Sequence, residues 1–571
     1  MKKNRLLALL LATLMVLSLC ACGGNTTSAE SPAPVTSDET PAPENSAAPT
    51  VEPESSALPA EDSAEDTPVE AADSSHLYPV FDELTAITAF LNIAPWASAY
   101  IGPDAEFENA YAILEAEKVT NVHLDVDWSD PDTYNEKLNL LVAANDLPNL
   151  TRGINYSTGE EGLVEDGLCV DLNQYFEEYA PEYYALRESN HYFKSKTESA
   201  NGTAVAMFSY TEIPLYTRGP IVRKDMLDAV NKEIPTTVEE LHDVALALKN
   251  DYGVKSAVVS PKMVADAYCG VDFISSNDVA MTWWNIDGEV TAAVTLDSNY
   301  EWAKEMKKWN DEGLFVESWY TPAPFYDFDV LNDQLAIAFG PYNLTSDSYK
   351  AAAASPDTCE IYPMANVVLN EGDTIKTQNN QYGGVGDGGW CITTCDEDII
   401  PQIVSYINWF FTEEGAMISN FGELDKTYTI GDNGDVQFTD FILKDGSEKY
   451  GSMAVYAIFT NNNDNPFYFK MERNTLTYDN EVEATVYDTW LSNMTSEYIL
   501  DYQLDTEHLE EYNKYATDVV TTIQERMTNF MTGGVELTEQ SWQTFQDELQ
   551  SLGLNKMREL VQSAYDQSLE A

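Results

Sequence analysis

Residues 122–150 read VHLDVDWSDPDTYNEKLNLLVAANDLPNL. The first seven alternate apolar and polar, the period of a strand with one buried face. From Thr133 the apolar spacing changes to that of a helix. The helix stops near Asn145, before a turn at Asp146-Leu147-Pro148. A short strand and the loop Gly153-Ile154-Asn155-Tyr156 follow. Working backwards, LTAITAFLNI (84–93) reads as an opening strand ending at Ala94-Pro95-Trp96, and residues 106–118 read as a helix. Strand and helix in alternation imply an α/β chain with a parallel sheet.

The N-terminus is of another kind. Met1-Lys2-Lys3-Asn4-Arg5 is basic, and Leu6–Leu19 carries no charge. Together they have the pattern of a secretory signal. An apolar run of that length is shorter than the roughly 20 residues a membrane-spanning helix needs. Leu19-Cys20-Ala21-Cys22 resembles a bacterial lipobox, so residues 1–21 are expected to be a signal peptide and Cys22 to carry lipid. Residues 23–75 hold twelve Asp or Glu and no Lys or Arg, among Ser, Ala and Pro. Such a segment buries too little apolar surface to offset its chain entropy, so 22–75 is expected to act as an extended tether.

Residues 76–571 are expected to fold as two lobes, since the length exceeds what one core organises. The formal charge of the chain is −66. That excludes nucleic acid as a natural partner and disfavours direct adhesion to anionic lipid, leaving the lipid as the membrane contact. Without Cys20 and Cys22 an odd set remains: Cys169, Cys269, Cys359, Cys391 and Cys395. Cys391 and Cys395 have a metal-like spacing but no accompanying cluster, so buried apolar roles are expected and no metal or cofactor. The five His are dispersed. No HExxH, GxSxG, P-loop or GxGxxG pattern occurs, so an enzyme is not expected. Abundant acidic pairs leave a surface glycoside hydrolase as the alternative.

Further stretches, in order, bring a family into view. They are DPDTYNEKLNLLVAANDLPNL (130–150), Asp166-Gly167-Leu168 through Asp171-Leu172, and Tyr179-Ala180-Pro181. Then come IVRKDML (221–227), PTTVEEL (235–241), KWNDEGL (308–314), INWFFTEEGAMISNFG (407–422) and FMTGGVELTEQSWQTFQDELQSLGLNKMRELVQSAYD (530–566). This series resembles the family 1 extracellular solute-binding proteins, the lipoprotein capture subunits of ABC importers. Met226 departs from a usual Trp. KNDYGVKSAVVSP (249–261) lacks the acidic calcium loop of many relatives, and Gly422-Glu423-Leu424-Asp425 replaces a Gly-rich loop. Asp432-Asn433-Gly434-Asp435 reads as a hairpin turn.

The resemblance implies a two-lobed periplasmic-binding-protein-like α/β fold with an inter-lobe cleft that closes about hinges. The first lobe is expected at about 76–210 plus 390–455 and the second at about 215–385 plus 470–571. Crossings are expected near Ser209–Pro214, Gly383–Ile392 and 455–470. It also implies ABC permease partners, a monomer, and an extracytoplasmic place on the cell membrane. The expected ligand is a carbohydrate, an oligosaccharide in particular, with a peptide or other solute as alternative. Sugars suit aromatic platforms and amide or carboxylate partners. The candidates are Trp96, Asn155, Tyr156, Trp283, Trp284, Trp319, Tyr342, Asp387 and Trp390. Trp309, Trp409, Trp490 and Trp542 fall on helical patterns and are assigned to packing. Arg223 is expected to pair structurally; Arg218 stays open.

Overall fold

The computed structural model describes residues 74–92, 110–129, 131–152, 159–211, 218–270, 283–317, 319–320, 334–341, 359–376, 385–431, 434–446, 465–470, 473, 476, 482, 485–495 and 502–569. The chain passes twice through each of two lobes. The first passage holds β1 (Thr85–Asn92), α1 (Tyr111–Thr120), β2 (Val122–Ser129), α2 (Pro131–Ala144) and β3 (Leu150–Arg152). It continues through α3 (Gly159–Glu165), α4 (Asn173–Tyr179), α5 (Pro181–Ser189), α6 (His191–Thr197) and β4 (Met207–Thr211). The second passage comprises β5 (Arg218–Arg223), α7 (Lys224–Ala229), α8 (Val238–Ala247), β6 (Ser256–Val258), β7 (Trp283–Ile286) and β8 (Glu289–Ala292). After these come α9 (Asp297–Asp311), β9 (Leu335–Pro341), β10 (Ile361–Pro363) and β11 (Ile375–Lys376). The chain then returns to the first lobe with β12 (Val385–Ile392), α10 (Ile400–Trp409), α11 (Glu413–Phe421), β13 (Tyr428–Ile430), β14 (Val436–Phe438) and β15 (Tyr468–Phe469). It ends in the second with α12 (Val486–Leu491), β16 (Met494–Thr495), α13 (Thr506–Thr532), α14 (Glu539–Leu552) and α15 (Leu554–Ser568).

The opening stretch folds as its pattern implies. Val122 and Leu124 are buried, while His123, Asp125 and Asp127 are exposed. β2 lies parallel to β1 from Thr85↔Val122 to Asn92↔Ser129. Helix α2 starts at Pro131, before Thr133, because Pro suits a first helical turn. It ends where Asn145 turns left-handed at φ 53°. Tyr134 stacks on Phe90 with centroids 4.8 Å apart and locks the helix onto the sheet. Its hydroxyl accepts the Arg152 N–H at 2.9 Å and lies within reach of Thr151 Oγ1, 2.8 Å away.

The first sheet has the order β15-β4-β12-β3-β1-β2, and the second has β10-β5-β9-β6. Each sheet has its own core. Ile87, Leu124, Tyr183 and Trp409 lie in the first; Ile221, Trp302, Trp309 and Phe530 lie in the second. Trp309, Trp409 and Trp490 are buried and Trp542 packs against the second core, as the helical spacing implied. Thr237 and Glu240 close a capping box that starts α8. Arg223 forks onto Asp225, Nε–Oδ1 at 2.8 Å and Nη2–Oδ2 at 2.7 Å, the structural pairing expected of it. Trp490 lies flat over Gly219, where any Cβ would stand 2.2 Å from the indole.

One connector expectation changes. Residues 385–392, expected to cross between lobes, form β12 inside the first sheet, between β3 and β4. Gly389 is needed there for close approach: a Cβ would meet Met207 O at 2.7 Å. The β12–β4 register also shifts between Val385 and Gly389, a bulge that small residues tolerate. The chain leaves the first sheet after Phe469, at the C-terminal limit of the expected 455–470. Residues 1–73, 212–217 and 377–384 lie outside the described residues. The 249–261 segment continues α8 as a π-helical turn to Tyr252, with Gly253 at φ 93° leading into β6. Gly422 and Asp425 both take positive φ, 84° and 66°, in the loop that follows α11. Gly434, at φ 92°, sits between the antiparallel β13 and β14, while Asp432 and Asn433 lie outside the described residues.

Candidate functional site

β1, β2 and β3 run parallel, and β12 is antiparallel to both β3 and β4. β15 is parallel to β4. The carboxyl ends of five strands therefore share one edge of the first sheet, the edge at which open α/β sheets receive ligands. Asn92, Ser129, Arg152 and Thr211 stand at four of those ends. Arg152 is 3% exposed, and its Nη1 donates to Asn92 Oδ1 at 2.5 Å. Ser129 Oγ lies 2.9 Å from Thr133 Oγ1. Trp128, one residue before the end of β2, is 38% exposed. Arg473 follows β15, its Cζ 3.9 Å from the centre of the Phe469 ring.

A cavity of about 440 Å³ opens between the lobes. Glu161, Thr197 and Phe208 line it from the first lobe; Tyr502, Leu509 and Tyr512 line it from the second. Glu161 is a junction. Its carboxylate accepts from Ser199 Oγ at 3.0 Å and Asn201 Nδ2 at 2.8 Å, and from Thr506 Oγ1 across the lobe boundary at 3.3 Å. Gln503 Nε2 crosses the same boundary to Ser195 O at 2.7 Å. Asp505 caps α13 by accepting the His508 N–H at 2.8 Å. Burial pushes the Asp505 carboxyl upward, but the His508 hydrogen bonds outweigh it and hold its pKa below the usual range. Burial pushes the Tyr502 phenol well up, so the ring faces the cavity as a neutral donor. A second cavity, about 610 Å³, is lined by β8, Thr295, α14 and α15, all in the second lobe.

No family model matches the chain. The polygalacturonan/rhamnogalacturonan-binding protein YtcQ of Bacillus subtilis is 28% identical over 207 residues, which span 35% of this chain and 40% of that relative. The lipoprotein LipO of the same organism is 23% identical over 38% of this chain and 43% of its own length. The chain thus spans under half the length of the curated relatives it matches. The crystal structure of the alginate-binding protein AlgQ2 superposes with a TM-score of 0.69 at 21% identity, covering 85% of this chain and 99% of that one. This chain has the fold of the two-lobed solute-binding proteins.

Within this solute-binding fold the candidate aromatics divide sharply. The ligand candidates Trp283 and Trp284 form the hairpin β7–β8 and belong to the second core at 3% and 1% exposure. The hairpin closes through Asp287 and Gly288, both at positive φ, the two-residue turn that an Asp-Gly pair favours. Trp283 reaches the inter-lobe cavity only indirectly, through Nε1 to Tyr512 Oη at 3.2 Å. Trp319 is buried against Phe315 and donates to Asn310 Oδ1 at 2.9 Å. Trp390 is fully buried in β12, edge-on to Phe467. These four rings pack in the cores in place of the expected exposed platforms. Asp387 lies on the bulged part of β12, described as backbone only. Trp96, Asn155, Tyr156 and Tyr342 lie outside the described residues, as does the Arg218 side chain.

The residues that do gather at the edge and the cavity were not singled out from sequence: Trp128, Arg152, Asn92, Ser129 and Glu161. The carboxyl-end rule applied to the three parallel strands reaches the first four. Nothing local marks Glu161, whose partners lie 38, 40 and 345 residues away.

Proposed function

We propose that this chain is the extracytoplasmic capture subunit of an ABC importer for an oligosaccharide, held to the membrane by lipid on Cys22. The observation that carries the proposal is a cavity shared between two lobes of a solute-binding fold, bounded by Phe208, Tyr502 and Tyr512. Rings and hydrogen-bonding groups together suit a sugar, which offers C–H faces and hydroxyls at once. The curated relative's name specifies polygalacturonan and rhamnogalacturonan, and the structural neighbour's specifies alginate. Connectors 212–217, 377–384 and the stretch after Phe469 would act as hinges. Trp96, Asn155, Tyr156, Tyr342 and Asp387 would complete the lining. The chain binds and releases its ligand without turnover, works as a monomer, and docks on permease subunits. Residues 23–75 let the receptor swing from its anchor.

Thermal-shift and calorimetric screening against oligosaccharides tests this. A ligand held at one hundred times its dissociation constant stabilises by about 2.7 kcal/mol. Stabilisation by a peptide and by no saccharide would overturn the ligand assignment, and release of shortened glycans would overturn the binding role. A Cys22→Ser variant should bind ligand normally yet support little uptake; normal uptake by released protein would refute the anchor.

A further inference from the structure

We infer that the second cavity, between β8 and the α14–α15 pair, receives an extended peptide segment of a partner protein, added beside β8 as a strand and carrying one carboxylate for Arg558.

The strand supplies an unfinished edge. Among the described residues β8 pairs with β7 alone, in the register Trp283↔Ala292, Trp284↔Thr291, Asn285↔Val290 and Ile286↔Glu289. In an antiparallel pair, residues bonded to the partner alternate with residues whose N–H and C=O face outward. The Val290 N–H donates to Gln562 Oε1 at 2.7 Å, so Val290 faces outward, and so does Ala292 two residues on. Gln562 Nε2 also donates to Gly288 O at 3.3 Å. One side-chain amide thus accepts from Val290 and donates to Gly288, the two bonds that one residue of a parallel strand would make. The next such rung is the Val290 C=O with the Ala292 N–H. Neither group is bonded among the described residues, whereas the Ala292 C=O accepts from Thr295 Oγ1 at 2.7 Å. Both residues line the cavity, and Ala292 is 2% exposed. Buried backbone donors are nearly always paired. At this rung the main chain of an extended peptide gains two hydrogen bonds, the mode by which strands add to open sheet edges.

The facing wall supplies the charge. Gln550, Asn555 and Arg558 line it from α14 and α15. Arg558 lies one turn before Gln562, about 6 Å along the helix. That nearly equals the step of about 6.7 Å from one outward rung of β8 to the next. Arg187, Arg223 and Arg526 are paired with Glu198, Asp225 and Glu548. Arg558 makes no ion pair or hydrogen bond among the described residues, although Glu289 lines the same cavity. A guanidinium stays charged at any physiological pH, and its planar fork matches a carboxylate. The formal charge of −66 repels a run of acidic residues, so a single carboxylate is what this wall accepts. The described lining contains no aromatic ring, in contrast to Phe208, Tyr502 and Tyr512 around the inter-lobe cavity. A sugar platform is therefore missing from this lining, whereas an exposed main-chain rung is present.

The test uses fluorescent hexapeptide pools, acetylated and amidated at their ends, with Glu, Gln or Lys fixed at one position in turn. Polarisation on the full chain reads binding. At one position the Glu pool should bind about 10–100-fold more tightly than the Gln pool, the range of hydrogen bonds to a charged group. Arg558→Gln should erase that preference and leave Gln-pool affinity within about threefold, well under one charged hydrogen bond. The Glu pool should slow hydrogen exchange of the segment 287–295 at least tenfold, and backbone N-methylation of the peptides should abolish binding. Equal affinity of Glu and Gln pools, undiminished binding of the N-methylated pools, or no binding of any pool at millimolar concentration overturns the inference. Protection of residues 502–512 in place of 287–295 would put the peptide in the inter-lobe cavity and overturn it as well. Should Arg558→Gln fail to fold, the Glu–Gln ratio, the N-methylated pools and the exchange pattern still decide.

Discussion

Tyr134→Phe isolates one hydroxyl at the meeting point of α2, β1 and β3. The ring survives, and with it the stack on Phe90. What disappears is the acceptor of the Arg152 N–H at 2.9 Å, and the oxygen that lies 3.1 Å from Phe90 O, 3.1 Å from Arg152 O and 2.8 Å from Thr151 Oγ1. One hydroxyl donates once, so the certain loss is the partner of a buried amide. A buried donor left unsatisfied costs about 1–3 kcal/mol. Taking the middle of that range and a urea dependence of about 3 kcal/mol per molar, the first-lobe midpoint should fall by about 0.7 M. Urea unfolding combined with hydrogen exchange of the peptide covering β3 reads both stability and the Arg152 amide. Burial already pushes the Tyr134 phenol up to about 12, so the hydroxyl remains a neutral partner throughout the working pH range. An unchanged midpoint together with unchanged protection of residues 150–152 would refute the claim that this hydroxyl holds the strand end.

Gly219→Ala drives a methyl into Trp490, whose Nε1 is held by Pro220 O at 2.9 Å. The expected loss is about 3 kcal/mol, the upper end for overpacking, and Trp490→Leu in the same chain should recover part of it in a double-mutant cycle. Asp225 gives a pH signature. Burial raises its carboxyl, but the Arg223 fork and the Glu360 N–H hold the pKa below the ordinary aspartate value. A depressed folded value means stability that is complete above the ordinary value and is lost as pH falls through the folded one. Asp225→Asn should therefore flatten the acid limb of the stability curve and, by removing the charged fork from the buried Arg223, cost about 3 kcal/mol at neutral pH. Glu161→Ala removes an acceptor shared by Ser199, Asn201 and Thr506. Amides of residues 502–512 should exchange at least tenfold faster, about 1.4 kcal/mol of local stability, and unchanged exchange would show that Glu161 does not fasten α13.

The sheet framework was legible because its signal is local and periodic. Alternation from Val122 and helical spacing from Thr133 both survive folding, and Thr237 with Glu240 makes the cap that their spacing implies. The binding residues were harder to reach, for a physical reason. Trp serves equally as core filler and as sugar platform, and only its neighbours in space decide which. Trp390 carries no sequence mark separating it from Trp128, yet one is buried and the other stands open. Asp287-Gly288 was a readable exception: two residues able to take positive φ, flanked by apolar runs, announce a hairpin and hence packed tryptophans. Glycine misled in the opposite direction. The glycine-rich Gly383–Ile392 stretch was expected to cross between the lobes, whereas Gly389 serves a tight approach to the neighbouring strand.

The strand order of the first sheet also bears on how this chain must be made. β12 sits between β3 and β4, and β15 closes the edge beside β4, although more than 170 residues separate β4 from β12 along the chain. No ribosome-fresh fragment ending inside the second lobe can complete the first. The centre of that sheet waits for residue 392, and its edge for residue 469. Until then β4 is unpaired and β3 is covered by β1 on one side alone, the kind of exposed edge that invites aggregation and slows folding through distant contacts. Truncation at a lobe boundary should accordingly yield insoluble material, and a chaperone that shields strands during synthesis and delivery would act on the interval between β4 and β12.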